Sequence, residues 1–182
     1  MELVIRKAAP GDAGAVAEIH AEAWRAAYRG IVPAAYLAKL DAGKRAERFR
    51  REFAAAGRPA AGPTEFFVCE AGGRPVGLLF LSPGRDEGFG DAGEIDAIYF
   101  LPEFWGEGLG TQAVDFALRR FRRQGYARAV LWVLEENRRA RAFYEKCGFV
   151  PEGARRTLDF GSPVAEMRYV CARALPSSPP AK

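Results

Sequence analysis

The chain is poor in the residues from which metal centres and disulfide scaffolds are made. Its 182 residues include one histidine and three cysteines. Cys69, Cys147 and Cys171 are too few and too scattered for a disulfide framework or a structural zinc site. They read as small buried hydrophobes, and no metal is expected. No apolar run is long enough to span a bilayer. The opening MELVIRKAAP lacks both the basic start and the apolar core of a secretory signal. The expectation is therefore a cytoplasmic protein with no membrane partner. Blocks of like charge are also missing. The formal charge of +4 is mildly basic and favours an anionic ligand. The arginines are spread over several segments and no nucleic-acid motif is present, so nucleic acid is not an expected partner. No internal repeat is found.

What is present is an alternation of short strand and helix patterns, of a length that favours one domain. That domain is expected over 1–174, followed by a Pro- and Ser-rich tail, 175–182, expected to fray. Leu3 to Lys7 reads as a strand. Gly11-Asp12 opens a helix to about Tyr28, with Asp12 as N-cap and Val16, Ile19, Ala23 and Ala27 on its apolar face. A second helical stretch runs from about Pro33 through Phe53, interrupted near Asp41-Ala42-Gly43. After a loop at Gly57 to Pro63, Thr64 to Ala71 and Pro75 to Leu81 read as a hairpin around Gly72-Gly73. Ser82 to Gly93 is a polar, glycine-rich loop, expected to be mobile. Glu94 to Leu101 is a strand. Leu109 to about Gln124 is a helix with Val114, Ala117, Leu118 and Phe121 on one face. Ala127 to Leu134 is a buried strand, and Asn137 caps a short helix ending at Gly148. Phe149 to Leu158 and Val164 to Ala172 form a closing antiparallel pair. The fold class is α/β (α+β): a mixed, mostly antiparallel sheet of about seven strands with helices on both faces. The strands flanking the Leu109–Gln124 helix should be parallel.

The most informative stretch is Pro102 to Thr111, PEFWGEGLGT. Gly106, Gly108 and Gly110 remove side chains where a backbone must approach something closely. The turn also opens a helix, whose first amides lack partners and whose dipole is positive. That combination suits a phosphate or pyrophosphate. A dinucleotide-binding turn is one reading, since Gly108 to Ala113 fits G-x-G-x-x-A and Glu135 and Glu136 follow the next strand. The placement opposes it: Pro102 to Trp105 intervene between strand and glycines, and several strands precede the turn.

The run Glu94 to Thr111, EIDAIYFLPEFWGEGLGT, resembles the acyl-CoA-binding signature of the GCN5-related N-acetyltransferases, Q/R-x-x-G-x-G/A after a strand and a proline. Asn137 to Phe149, NRRARAFYEKCGF, resembles the second signature of that family, N-x-x-A-x-x-x-Y-x-x-x-G-F. Ile5 to Ala13 is similar to the family's usual opening, and His20 to Pro33 to its first helices. The likeness extends to about Arg173. Trp105 stands where the signature has glutamine or arginine.

The resemblance implies transfer of an acetyl group from acetyl-CoA, as co-substrate, to a small-molecule or peptide amine. The amides of Gly106, Glu107, Gly108, Leu109, Gly110 and Thr111 would cradle the pyrophosphate, with Trp105 at the edge of the turn. The backbone of Ile98, Tyr99 and Phe100 would pair with the pantetheine arm, Asn137 would touch it, and one of Arg138, Arg139 and Arg141, with Arg141 foremost, would meet the 3′-phosphate. Tyr144 is the expected general acid for the departing thiolate. Glu94 and Asp96 share one face of their strand by period-two alternation. Either could take the amine's proton, and the family likeness favours Glu94. His20, Trp24 and Tyr28 share one face of the first helix, which in the family lines the acceptor site. Dimers are common in the family, which leaves a homodimer open. A coenzyme A-binding sensor or scaffold without turnover is the reading from a different class.

Overall fold

The computed structural model describes residues 2–56 and 64–171. The loop at Gly57 to Pro63, the upper domain boundary at 174 and the tail lie outside them. Chain order is β1 (Val4–Lys7), α1 (Ala13–Ala27), α2 (Ala34–Ala38), α3 (Ala42–Ala55), β2 (Glu65–Ala71), β3 (Arg74–Pro83) and β4 (Ala92–Phe100). There follow α4 (Leu109–Arg123), β5 (Arg128–Leu134), α5 (Arg138–Lys146), β6 (Val150–Asp159) and β7 (Pro163–Cys171). The strands form one seven-stranded sheet in the order β1-β2-β3-β4-β5-β7-β6. Every neighbouring pair is antiparallel except β4 with β5, which is parallel. The parallel pair is the one bridged by α4, as the βα-strand pattern requires.

The helices cover both faces. On one, Val16, Ile19, Phe49 and Phe53 of α1 and α3 pack on Val68, Leu78 and Phe80. On the other, Leu109, Ala113, Val114, Ala117 and Phe121 of α4 pack on Leu79, Ile95, Ala129 and Leu131. Burying a side chain such as Phe121 contributes about 2 kcal/mol. The close seat of α4 depends on Gly93: a Cβ there would stand 2.2 Å from the Phe121 ring. Arg120 ties the same helix to the start of β2, where its Nε donates to Glu65 Oε2 at 2.6 Å.

Two local expectations are corrected. Asp12 holds the N-cap position of α1, but its side chain makes no capping hydrogen bond to that helix; a single 3-10 turn at Pro10–Asp12 starts the winding earlier. The Asp12 carboxylate instead accepts the Ala9 amide at 2.7 Å and ion-pairs with Arg6. The segment 82–93 is also shorter and firmer than its composition suggests. Ser82 and Pro83 finish β3, and Ala92 and Gly93 begin β4. The remaining turn is pinned by Phe89, which is buried beneath the guanidinium groups of Arg168 (3.8 Å) and Arg128 (4.2 Å).

Candidate active site

The sheet is unzipped at its middle. β4 and β5 pair only from Ala92↔Arg128 to Ile95↔Leu131. One residue further, the β3–β4 register steps from Leu81↔Ile95 to Phe80↔Ala97, leaving Asp96 unmatched. A bulge of this kind bends its strand, here away from β5, which stays paired with β7 as far as Leu134. The gap is the mouth of a cavity of about 660 Å³. Leu101 N–H donates to Val76 O. By antiparallel alternation Tyr99 then pairs with β3, whereas Ile98 and Phe100 direct their N–H and C=O towards the gap. Of the three residues expected to offer backbone groups, Tyr99 has spent its own on β3.

The glycine turn forms one wall. Gly108, at φ 76°, is the N-cap of α4. This left-handed conformation is strained for any residue with a Cβ. Among the described residues, no backbone carbonyl accepts from the amides of Gly106 through Thr111; the first such bond is Gln112 N–H to Gly108 O. Those amides stand at the positive end of α4 beside the cavity, an arrangement suited to a diphosphate. Gly106, Gly108, Leu109, Gly110 and Thr111 line the cavity, whereas the Glu107 side chain does not. Trp105 lines it too, and its indole Nε1 donates to Phe100 O at 2.8 Å. The Arg139 guanidinium lies 3.3 Å from the centre of the Trp105 ring. A cation therefore stands over position 105 after all, carried on α5. It lies inside the second signature and is one of the three arginines there expected near the cofactor.

α5 is capped as expected: Asn137 Oδ1 accepts the Ala140 amide at 3.1 Å. Asn137, Tyr144 and Lys146 line the cavity. Burial pushes the Tyr144 phenol well above its ordinary range, so it holds its proton at neutral pH. Arg141 departs from expectation. It turns to β7, donating to Tyr169 Oη at 3.1 Å and to Glu135 O at 3.0 Å, and does not line the cavity. A two-residue step on a helix rotates a side chain by about 200°, so Arg139 and Arg141 point to different walls.

At the opposite end the two carboxylates separate in role. Glu94 is buried and absent from the cavity wall; Arg85 encloses it through its amide (3.3 Å), Nε (3.4 Å) and Nη2 (2.8 Å). Asp96 lines the cavity. Its Oδ1 pairs with Arg85, and its buried Oδ2 has no hydrogen-bond partner among the described residues. Burial raises its pKa to about 6, opposed by Arg85 and Ser82 and assisted by Glu94. The bulge that opens the sheet thus also delivers a carboxylate to the opening.

The α1 face is only partly in the cavity. Tyr28 lines it beside Ala23 and Ala27, with its hydroxyl 2.9 Å from that of Tyr99. His20 and Trp24 are set back from the cavity wall, stacked with ring centroids 5.3 Å apart. His20 is buried, and Arg45 Nη1 approaches its Nε2 at 3.2 Å. Burial, and then Arg45 and Arg48, depress its pKa to about 3. It is neutral at physiological pH, part of a packed aromatic cluster. Trp132, which periodicity places simply in a buried strand, lines the acceptor end instead.

Among the described residues no His, Cys, Asp and Glu side chains gather into a metal-sized cluster, and no helix is long and apolar enough to cross a membrane. The family model for the acetyltransferase (GNAT) family matches residues 22–149. The Mycobacterium tuberculosis protein named Probable N-acetyltransferase Rv2775 is 30% identical over 151 residues, covering 82% of this chain and 80% of that one. The paia N-acetyltransferase of Thermoplasma acidophilum, solved with coenzyme A, superposes with a TM-score of 0.73 at 23% identity, over 92% of this chain and 98% of its own. The yncA protein of Salmonella typhimurium, solved with its cofactor acetyl-CoA, superposes with a TM-score of 0.67 at 19% identity, over 100% and 99%. At these identities the two structures carry the fold.

Proposed function

The chain belongs to the acetyltransferase (GNAT) family, and from that premise we propose that it transfers an acetyl group from acetyl-CoA to a primary amine by direct attack in a ternary complex. The observation that carries this reading is the unzipped β4–β5 seam. It leaves strand hydrogen-bonding groups of β4 without a β5 partner, with an anion cradle at one end and a cavity-lining carboxylate at the other.

The cradle from Gly106 to Thr111 fits the diphosphate, with Arg139 supplying a positive charge beside it. The outward N–H and C=O of Ile98 and the N–H of Phe100, whose carbonyl accepts from Trp105, suit a pantetheine arm, which carries amides of its own. This holds the thioester between Asp96 and Tyr144. The amine nitrogen attacks the thioester carbonyl, and the Ile98 N–H donates to the oxygen as negative charge develops there. Asp96, ionised above its pKa of about 6, accepts the proton leaving the nitrogen. The intermediate collapses with cleavage of the C–S bond, and Tyr144 delivers its proton to the departing sulfur. The products are the N-acetyl amine and coenzyme A. Positioning both reactants supplies much of the rate. The acceptor is a small-molecule or peptide amine.

The test is thiol release from acetyl-CoA with a panel of amines, with the N-acetyl product identified by mass. Equal yields of thiol and amide support the reading. Saturable coenzyme A binding with no amide from any amine would replace it with a non-catalytic binding protein. No observation favours a dinucleotide over coenzyme A.

A further inference from the structure

The β3–β4 turn puts a residue into the acceptor end that neither glycine spacing nor helix periodicity marks. Arg85 reaches back over the start of β4 and spans both carboxylates. Its side chain is 64% exposed, whereas those of Glu94 and Asp96 are 5% and 14% exposed. We propose that Arg85 is a positioning residue for amine activation: its guanidinium holds Asp96 ionised and fixes the carboxylate at the cavity wall, where it takes the proton of the incoming amine. This inference rests on Asp96 being the proton acceptor.

The geometry supplies the reasons. Arg85 is anchored first on Glu94, through three donors. One positive charge shared by two carboxylates leaves Asp96 able to accept the single proton that a neutral amine loses as it is acylated. A guanidinium keeps its charge throughout the physiological range, so this balance does not vary as a lysine's could. The turn that carries Arg85 is itself clamped. Asp86 Oδ2 accepts from Arg168 Nη1 at 2.9 Å and from Trp132 Nε1 at 3.1 Å, and Arg168 also holds Glu152. The remaining groups near Asp96 are the Ser82 side chain on β3 and Glu94 on its own strand, the latter opposing ionisation. Tyr28 on α1 and Trp132 on β5 bring no formal charge to this end of the cavity. The cations Arg139 and Lys146 of α5 line the same cavity.

The test compares pH profiles of kcat/KM for the amine in wild type, Arg85→Gln and Arg85→Lys. Removing a charge in contact with a carboxylate should raise the acidic-limb midpoint by about one pH unit. Arg85→Lys should return it most of the way, and Arg85→Gln should recover towards the wild-type plateau at high pH. A plateau lowered equally at all pH values with an unmoved midpoint would overturn the inference, as would a Lys variant displaced as far as the Gln variant. NMR titration of the Asp96 carboxyl reads the same shift without turnover, and an unmoved carboxyl titration in Arg85→Gln would also overturn it. Failure of the underlying reading is separable: an Asp96→Asn enzyme that keeps its acidic limb removes Asp96 from the mechanism whatever Arg85 does to its carboxyl.

Discussion

The two ends of the cavity are built in different ways. The cofactor end is made mostly of backbone: unpartnered amides at the start of α4, outward groups on β4 and glycines that keep the surface bare. Its backbone parts are contiguous in the chain, from Ile98 to Thr111, with Arg139 of α5 added beside them. The acceptor end is made of side chains from distant segments: Tyr28 of α1, Arg85 of a turn, Asp96 of a bulge and Trp132 of β5. A backbone site tolerates most substitutions that keep its glycines. A side-chain site fails or changes with one residue. The contrast predicts that mutations at the acceptor end act on kcat and its pH dependence, and those at the cofactor end on the KM for acetyl-CoA.

Asp96→Asn is the strongest challenge to that division. Losing a general base costs about 10² to 10⁴ in rate. The expected result is a collapse of kcat at pH 7.5 in the thiol-release assay, loss of the acidic limb near pH 6, and an unchanged KM for acetyl-CoA. Glu94→Gln should behave differently, since Glu94 does not reach the cavity. Tyr144→Phe comes next. Removing a proton donor to the sulfur should lower kcat by about 10²-fold while leaving the acidic midpoint in place. A midpoint that moved with Tyr144 would mean that the two ends are not chemically separate.

Gly108→Val probes the other end. A β-branched residue forced to φ 76° costs about 1–2 kcal/mol, through a distorted turn. The expected effect is an increase of about tenfold in the KM for acetyl-CoA, with kcat retained at saturation and a matching fall in stability by denaturant titration. A loss confined to kcat would contradict the assignment of the turn to the cofactor.

The smallest effect on activity concerns His20, which lies behind the acceptor wall and acts on stability. Its folded pKa, about 3, is below the unfolded value near 6.5. Between these values the unfolded chain binds more protons, so this residue makes stability fall as pH drops from about 6.5 towards 3. Full stability is retained above that window. His20→Asn should flatten this slope in a comparison of urea midpoints at pH 7 and pH 4.5. Kinetic limbs near pH 6 should persist in the variant, because they belong to Asp96.

The same contrast explains what could be read from the sequence. The glycine turn, its helix and the Asn137 cap are short-range patterns, and each was legible before any coordinates. The sheet with helices on both faces followed from strand and helix periodicity. The acceptor end was legible only in outline. Period-two alternation brought Glu94 and Asp96 to one face, but the bulge at Asp96 and the enclosure of Glu94 by Arg85 depend on long-range register. Arg85 sits in a turn read as mobile because its composition is polar; what pins the turn is Phe89 beneath two arginines, with Asp86 held by Arg168. Arg138, Arg139 and Arg141 lie in the same signature, and only helix phase and the partners Arg141 finds on β7 decide that Arg139 reaches the cavity. His20 and Trp24 share a helix face with Tyr28, yet the aromatic packing behind α1 absorbs them.

The central claim is that a bulge at Asp96 separates β4 from β5 and that the acyl donor lies in the opening. A crystal structure with coenzyme A tests it most directly. The account predicts diphosphate oxygens on the amides between Gly106 and Thr111, pantetheine amides bonded to Ile98, and the sulfur within reach of Tyr144 Oη. Coenzyme A bound outside the seam, or β4 and β5 zipped closed beyond Ile95 with the ligand present, would contradict it.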